Sequence, residues 1–353
     1  MRAVVTGGSG YFGNVLCESL VAEGHDVVNL DISPVELPGV LFAECDIRDR
    51  VGVRKAFEGA DVVFHNVAQV PLARDPELFD SVNREGTAAM LWAAQRAGVH
   101  KVVYTSSSAV FGVPASNPVT EQTPPHPLEA YGRAKLDGEL LCQAAVTRGL
   151  DVTIIRPRTI VGHGRLGIFA ILFDWVADGV DVLVFDGGHN RYQFVHAADL
   201  ADACVRAGQR PGPATYNIGA QDFGTMRETL QALCDHAGTG AGVRSVSSRL
   251  AAPAMKVASR SGLAPFADYH WLMYARELWF DTTAAQRDLG WHAQFSNAQM
   301  ICEAYDWFLE HRGEVGLAGP SHHRSGVKQG VLSVLKRGLR VAPTRTVGGG
   351  DDG

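Results

Sequence analysis

The chain has 353 residues, 46% of them hydrophobic, a formal net charge of −6, and six cysteines at positions 17, 45, 142, 204, 234 and 302. That length suits two domains, or one large α/β domain with a smaller lobe, and the mildly acidic balance excludes the concentrated basic surface that nucleic acid demands. The scattered cysteines form no C-x-x-C pair and no metal-ligand spacing, so no metal site is expected and the thiols read as reduced and buried, as in a cytoplasmic protein.

The opening MRAVVTGG enters a β-type apolar run at once, which predicts a chain without a leader. No stretch has the length needed to cross a bilayer, so a cytoplasmic protein is expected. From there short β-branched runs alternate with helical stretches. Strands are predicted at AVVT (3–6), DVVNLD (26–31), VLFAEC (40–45), DVVFHN (61–66), KVVYTSS (101–107) and DVTIIRP (151–157), with helices at about 11–23, 51–58, 77–98 and 128–148. This alternation indicates a doubly wound parallel sheet of Rossmann type, covered on both faces. After residue 157 the pattern is less regular: a Gly-rich turn (162–167), a helix near 168–178, RYQFVHAADLADACVRA (191–207), TYNIG (215–219), TTAAQRDLGW (282–291) and a last amphipathic helix at 297–311. The expected organisation is a dinucleotide-binding domain over 1–157 with returning segments at about 192–218. A smaller substrate-binding lobe then spans 158–191 and 219–312, and a tail covers 313–353.

The first βαβ unit carries chemistry. In TGGSGYFG, Gly7 permits a sharp turn, Gly10 lets the backbone approach a pyrophosphate, and Gly13 lets the helix pack closely on the sheet. The helix N-terminus then offers unpaired N–H groups and a positive dipole to the phosphates. Asp31 follows Gly13 by 18 residues, at the end of the second strand. A carboxylate there accepts from the ribose hydroxyls of NAD and repels the extra phosphate of NADP, and ISPVELPG after it holds no Arg or Lys, so NAD is favoured. Further along, YGRAK places Tyr131 and Lys135 four residues apart on one helical face. A nearby ammonium favours the phenolate, which makes Tyr131 a candidate acid and base for a proton on a hydroxyl.

Taken together, these motifs resemble the extended short-chain dehydrogenases/reductases, the NAD-dependent epimerase/dehydratase family, over about residues 1 to 312. TGGSGYFG is similar to that family's TGxxGxxG turn and YGRAK to its YxxxK. HNVAQV (65–70) resembles the segment along the nicotinamide ribose, and NREGTAAML (83–91) the NVxGTxNLL helix start. FVHAADLADA (194–203) and LGW (289–291) have counterparts too. The resemblance implies that Tyr11, Phe12, Asp46, Ile47, Val67, Ala68 and Asn83 also line the cofactor, with a share for Tyr131 and Lys135. Alignment on VFG (110–112) places the catalytic serine at Ser107, beside Tyr131, with Ser106 assisting.

In the family's 4,6-dehydratases an acidic pair follows that serine. Here Ser108 and Ala109 follow, so elimination of water lacks its proton shuttle and a 4,6-dehydratase is disfavoured. Reversible oxidation at a carbinol carbon remains. Two substrates stay open: a nucleotide sugar, epimerised through a transient keto form, or a sterol-like alcohol, simply oxidised. RPRTIVGHG has Thr159 where many nucleotide-sugar enzymes carry asparagine, while Arg191 stands where a phosphate-binding arginine is often found; Ser108 is a third substrate candidate. Non-catalytic relatives that keep the fold typically lose the Tyr/Lys pair or the serine, which this chain retains.

A homodimer through the helices at 77–98 and 128–148 is expected from the resemblance. In the tail, SGVKQGVLSVLKRGLRVAP (325–343) has Val327, Val331, Leu335 and Leu339 spaced by four among Lys328, Lys336, Arg337 and Arg340. Such a basic amphipathic helix can lie on an anionic membrane surface, or dock on its own domain or on a partner subunit.

Overall fold

The computed structural model describes residues 1–69, 80–164, 169–249 and 276–313. Its first half runs β1 (Arg2–Thr6), α1 (Tyr11–Ala22), β2 (Asp26–Asp31), β3 (Val40–Glu44), α2 (Arg50–Ala56) and β4 (Val62–His65). A π-helical turn (Ser81–Gly86) leads into α3 (Thr87–Ala97), β5 (Lys101–Thr105), a 3-10 turn (Ser108–Phe111), α4 (Ala130–Val146) and β6 (Val152–Pro157). The second half continues β7 (Thr159–Val161), α5 (Phe169–Ala177), β8 (Val182–Phe185), β9 (Phe194–His196), α6 (Ala197–Gln209), β10 (Ala214–Ile218), α7 (Met226–Ala237), β11 (Val243–Val246), α8 (Thr283–Leu289) and α9 (Asn297–Glu310).

Seven parallel strands form the central sheet in the order β10-β6-β5-β4-β1-β2-β3. Strand order reverses between β1 and β4, the switch point that opens a crevice at the carboxyl ends of doubly wound sheets. Strands β1, β4, β5 and β6 are almost wholly buried because helices cover both faces. On one side α1 and α6 pack Leu16, Cys17, Leu20, Leu200 and Cys204 against Val5, Phe64 and Ile155. On the other, Met90 and Leu91 of α3 and Cys142 and Ala145 of α4 meet Val63, Val102 and Ile154. The Rossmann-type α/β fold expected from the alternation is therefore present.

A separate apolar cluster joins Phe173, Val184, Phe194, Leu230, Met300, Tyr305 and Phe308, from α5, β8, β9, α7 and α9. Two small parallel sheets, β8 with β11 and β7 with β9, belong to this region. Trp291 locks it to α6: the fully buried indole donates to the Asp199 carbonyl at 2.9 Å, and the Asp199 carboxylate accepts from the Gln294 and Phe295 amides.

One helix departs from expectation. A regular helix over 77–98 is replaced at Ser81–Gly86 by a π turn, and 77–79 lie outside the described residues. The turn lets the Asn83 side chain clasp the Gln69 main chain. It also brings Gly86 so close to Ile47 that a Cβ there would stand 2.7 Å from Ile47 Cγ2. The basic stretch 325–343 also lies outside the described residues.

Candidate active site

The crevice at the switch point begins with the glycine turn. Gly7 adopts φ +73°, and its N–H donates to Leu30 O at 2.9 Å, which turns the chain out of β1. At Gly13 a Cβ would sit 2.1 Å from Gly7 O, so only glycine lets α1 start this close to the strand. The residue before α1 is Gly10, with no side chain capping the helix, and a helix N-terminus at such a turn suits an anion. Tyr11 and Phe12 are buried against the sheet.

Asp31 closes this cradle: its carboxylate accepts from the Ser9 N–H at 3.2 Å and the Ser33 N–H at 3.1 Å. Beyond β4, Val67 crosses the turn, its N only 3.0 Å from where a Gly7 Cβ would lie, and Ala68 follows, half-buried. These residues form a bare-backbone cradle that fits the diphosphate and ribose of a dinucleotide.

Three other cofactor candidates make contacts within the protein. Asn83 Oδ1 accepts from Gln69 N at 2.7 Å and its Nδ2 donates to Gln69 O at 3.1 Å, which positions the 65–69 segment. The Ile47 side chain is consumed by packing under Gly86, which leaves its main chain. Asp46 is half-buried and held by a bidentate ion pair with Arg48.

The serine stretch leaves β5 in three directions. Ser106 is buried and donates to Glu139 Oε1 at 2.5 Å. Ser107, half-buried, caps the 3-10 turn by accepting from Ala109 N at 3.2 Å. Ser108 is buried and accepts from Arg158 Nη1 at 2.9 Å. The start of α4 packs directly on this turn, since a Cβ on Gly132 would stand 2.4 Å from Ala109 O. Glu129 caps α4 through the Tyr131 and Gly132 amides, both at 2.7 Å. Tyr131 is thereby brought beside the Ser107 turn.

One turn on, Lys135 is 4% exposed, its Nζ donating to Thr105 O at 2.7 Å and lying 6.0 Å from the Tyr131 ring centroid. Burial lowers its pKa to about 8, with the Cys142 and Glu139 charges opposing the fall. An ammonium on the verge of losing its proton thus stands behind the tyrosine, with no carboxylate after Ser107 to drive an elimination.

Glu139 was not anticipated from the sequence, although it follows Lys135 by four residues on the same helical face. It is fully buried and forms a fork with Arg156, Nε to Oε1 at 2.9 Å and Nη2 to Oε2 at 2.6 Å. This pair ties α4 to β6 directly beneath the serines.

The substrate candidates lie further out. Thr159 bonds the Tyr192 hydroxyl at 3.1 Å. Arg191 is exposed, and its guanidinium carbon lies 4.7 and 4.3 Å from the ring centroids of Phe223 and Trp279, which pack on each other. Among the described residues no group of His, Cys, Asp and Glu could hold a metal ion, and no helix is long and apolar enough to cross a membrane.

The signature of the NAD dependent epimerase/dehydratase family matches residues 3–219. The chain is 51% identical over 344 residues to the uncharacterized protein y4nG of Sinorhizobium fredii, covering 97% of this chain and 87% of that one. It is 31% identical over 332 residues to a UDP-glucose 4-epimerase of Mycolicibacterium smegmatis, covering 87% of this chain and 98% of the relative. A solved UDP-glucose 4-epimerase from Stenotrophomonas maltophila, with bound NAD and formylated UDP-arabinopyranose, superposes with a TM-score of 0.74 at 25% identity, over 89% of this chain and 100% of that one.

Proposed function

This chain belongs to the NAD dependent epimerase/dehydratase family, and from that premise we propose that it is a nucleotide-sugar epimerase of the 4-epimerase type. The observation that carries this reading is the packing of the Ser107 turn on the start of α4. It assembles a serine, a tyrosine and a lysine beside the glycine cradle, with Ser108 and Ala109 where a dehydratase needs acids.

Gly7, Gly10, Gly13, Asp31 and the main chain at Val67 and Ala68 would hold NAD. Ser107 Oγ accepts from Ala109 N–H, which leaves its own O–H to donate to the substrate oxygen. Tyr131 Oη takes the proton of the sugar hydroxyl and later returns it. The Lys135 ammonium, unscreened at this depth, stabilises the phenolate that accepts this proton and that forms again when the proton is returned. Bound NAD supplies the hydride acceptor and, after the keto sugar turns over in the pocket, the donor. Arg191, held against the adjoining Phe223 and Trp279 rings, is preorganised to meet a diphosphate. A homodimer would use the outer face of α4, where Leu140 is 53% exposed.

A second reading, net oxidation of a sterol-like alcohol with cofactor exchange, rests on Thr159 in place of the asparagine and on its bond to Tyr192. Proton NMR of the purified protein with UDP-, dTDP- and GDP-sugars and no added cofactor separates the two. A new epimer without net NADH, abolished by Tyr131→Phe, supports the epimerase. No sugar turnover, with NADH formed only from added NAD and an alcohol, sinks it in favour of the dehydrogenase.

A further inference from the structure

We propose that Arg158 recognises a carboxylate on the substrate, so that the sugar nucleotide taken by this site is a uronic acid; this rests on the epimerase reading above. Arg158 lies between β6 and β7 and is 2% exposed. The only hydrogen bond of its side chain among the described residues is from Nη1 to the neutral Ser108 hydroxyl, and Nε and Nη2 have no partner. Arg156, two residues earlier and 5% exposed, has its counter-ion in Glu139. The fold therefore neutralises one buried guanidinium and leaves its neighbour without an ion pair among the described residues. An uncompensated charge at that depth is costly, and a guanidinium cannot shed its proton to escape the cost.

The uncommitted donors have a specific geometry. Tyr192 and Phe280 lie 4.8 and 5.6 Å from the guanidinium carbon, measured to their ring centroids, and Ser108 takes Nη1. What remains is the edge bearing Nε and Nη2, the parallel pair that forks a carboxylate. Position favours the same ligand. Ser108 follows Ser107, the serine assigned to the reacting hydroxyl, and in a 4-hydroxy uronate the adjoining ring carbon bears the carboxylate. The diphosphate already has a candidate in the exposed Arg191. Shielding from bulk water sharpens the choice, because a neutral hydroxymethyl group cannot neutralise the buried cation whereas a carboxylate pairs with it.

The test uses the full chain and NMR turnover of UDP-glucuronic acid and UDP-glucose. Wild type should favour the uronate in kcat/KM by about 30-fold or more, the worth of a buried charged fork. Arg158→Met should collapse that ratio towards one, and Arg158→Lys, which keeps the charge without the fork, should fall between. Equal or better use of UDP-glucose by wild type overturns the proposal, and this readout needs no variant. So does a collapse of both sugars together with UDP binding in Arg158→Met, which would assign the cation to the diphosphate or to structure. If neither sugar is epimerised, the epimerase reading fails separately. Calorimetry then decides the Arg158 assignment: UDP-glucuronate must bind wild type more tightly than UDP-glucose or UDP and lose that advantage in Arg158→Met.

Discussion

Replacing Glu139 with leucine removes the carboxylate that serves three donors at once: Arg156 Nε and Nη2, and Ser106 Oγ, at 2.9, 2.6 and 2.5 Å. Both charged partners are at most 5% exposed, so no water replaces the lost acceptor. Breaking a buried pair from one side leaves an uncompensated charge, and the expected loss is about 3–5 kcal/mol of unfolding free energy. Glu139→Gln keeps an acceptor but loses the charge, and should cost about 2 kcal/mol. Removing both partners in Glu139→Leu/Arg156→Leu should recover most of the single-variant loss, because desolvation and attraction largely cancel in such pairs.

Guanidinium unfolding of wild type, the two Glu139 variants, Arg156→Leu and the double variant, with the coupling taken from the double-mutant cycle, measures each value. The same substitution removes a charge that holds the Lys135 pKa up, so the alkaline limb of activity should move to lower pH. A cost below about 1 kcal/mol for Glu139→Leu, or a double variant no more stable than the single one, would refute the argument.

Other outcomes follow from the same site. Lys135 loses its proton as pH rises through about 8, so kcat/KM should fall above that point. Lys135→Met should abolish that limb and lower activity roughly 100-fold, checked by a pH–rate profile. Gly13→Ala places a methyl carbon 2.1 Å from Gly7 O, a backbone clash that cannot relax cheaply; the purified protein should carry almost no bound NAD. Gly10→Ala, with its nearest contact at 3.2 Å, should be milder in the fold.

His65 is buried between Thr6 and Thr87, and burial pushes its pKa down to about 3, against about 6.5 when unfolded. The folded state thus prefers the neutral ring. Its contribution is complete above pH 6.5 and is lost as pH falls from there towards 3. Acid titration of stability should show this slope in wild type, and His65→Asn should flatten it.

The glycine turn, Asp31 and the Tyr131/Lys135 pair were legible because each depends on near neighbours in the chain. A strand, a tight turn and a helix fix Gly7, Gly10 and Gly13 within one unit, and a spacing of four fixes two side chains on one face. Alternation of β-branched and amphipathic runs likewise implied a parallel sheet. The main-chain clasp of Asn83 and the packing of Ile47 under Gly86 were not legible, for the opposite reason. Whether an amide faces a ligand or clasps the Gln69 main chain depends on a π turn that its own sequence does not announce.

What the amino-acid sequence determined by itself is the dinucleotide-binding architecture, its preference for NAD and the placing of Tyr131 and Lys135 on one helical face, since local periodicity and short-range sterics decide these. Tertiary structure alone decided which buried cation has a counter-ion. Arg156 and Arg158 stand two residues apart, a spacing that would put them on one face of a continuous strand, yet β6 ends at Pro157 and the two side chains reach different neighbours. One meets Glu139 on α4 and the other meets Ser108, Tyr192 and Phe280, brought together from segments up to 172 residues apart (280 − 108). Charge pairing is set by which elements pack together in three dimensions, and the spacing of residues along the chain does not encode it.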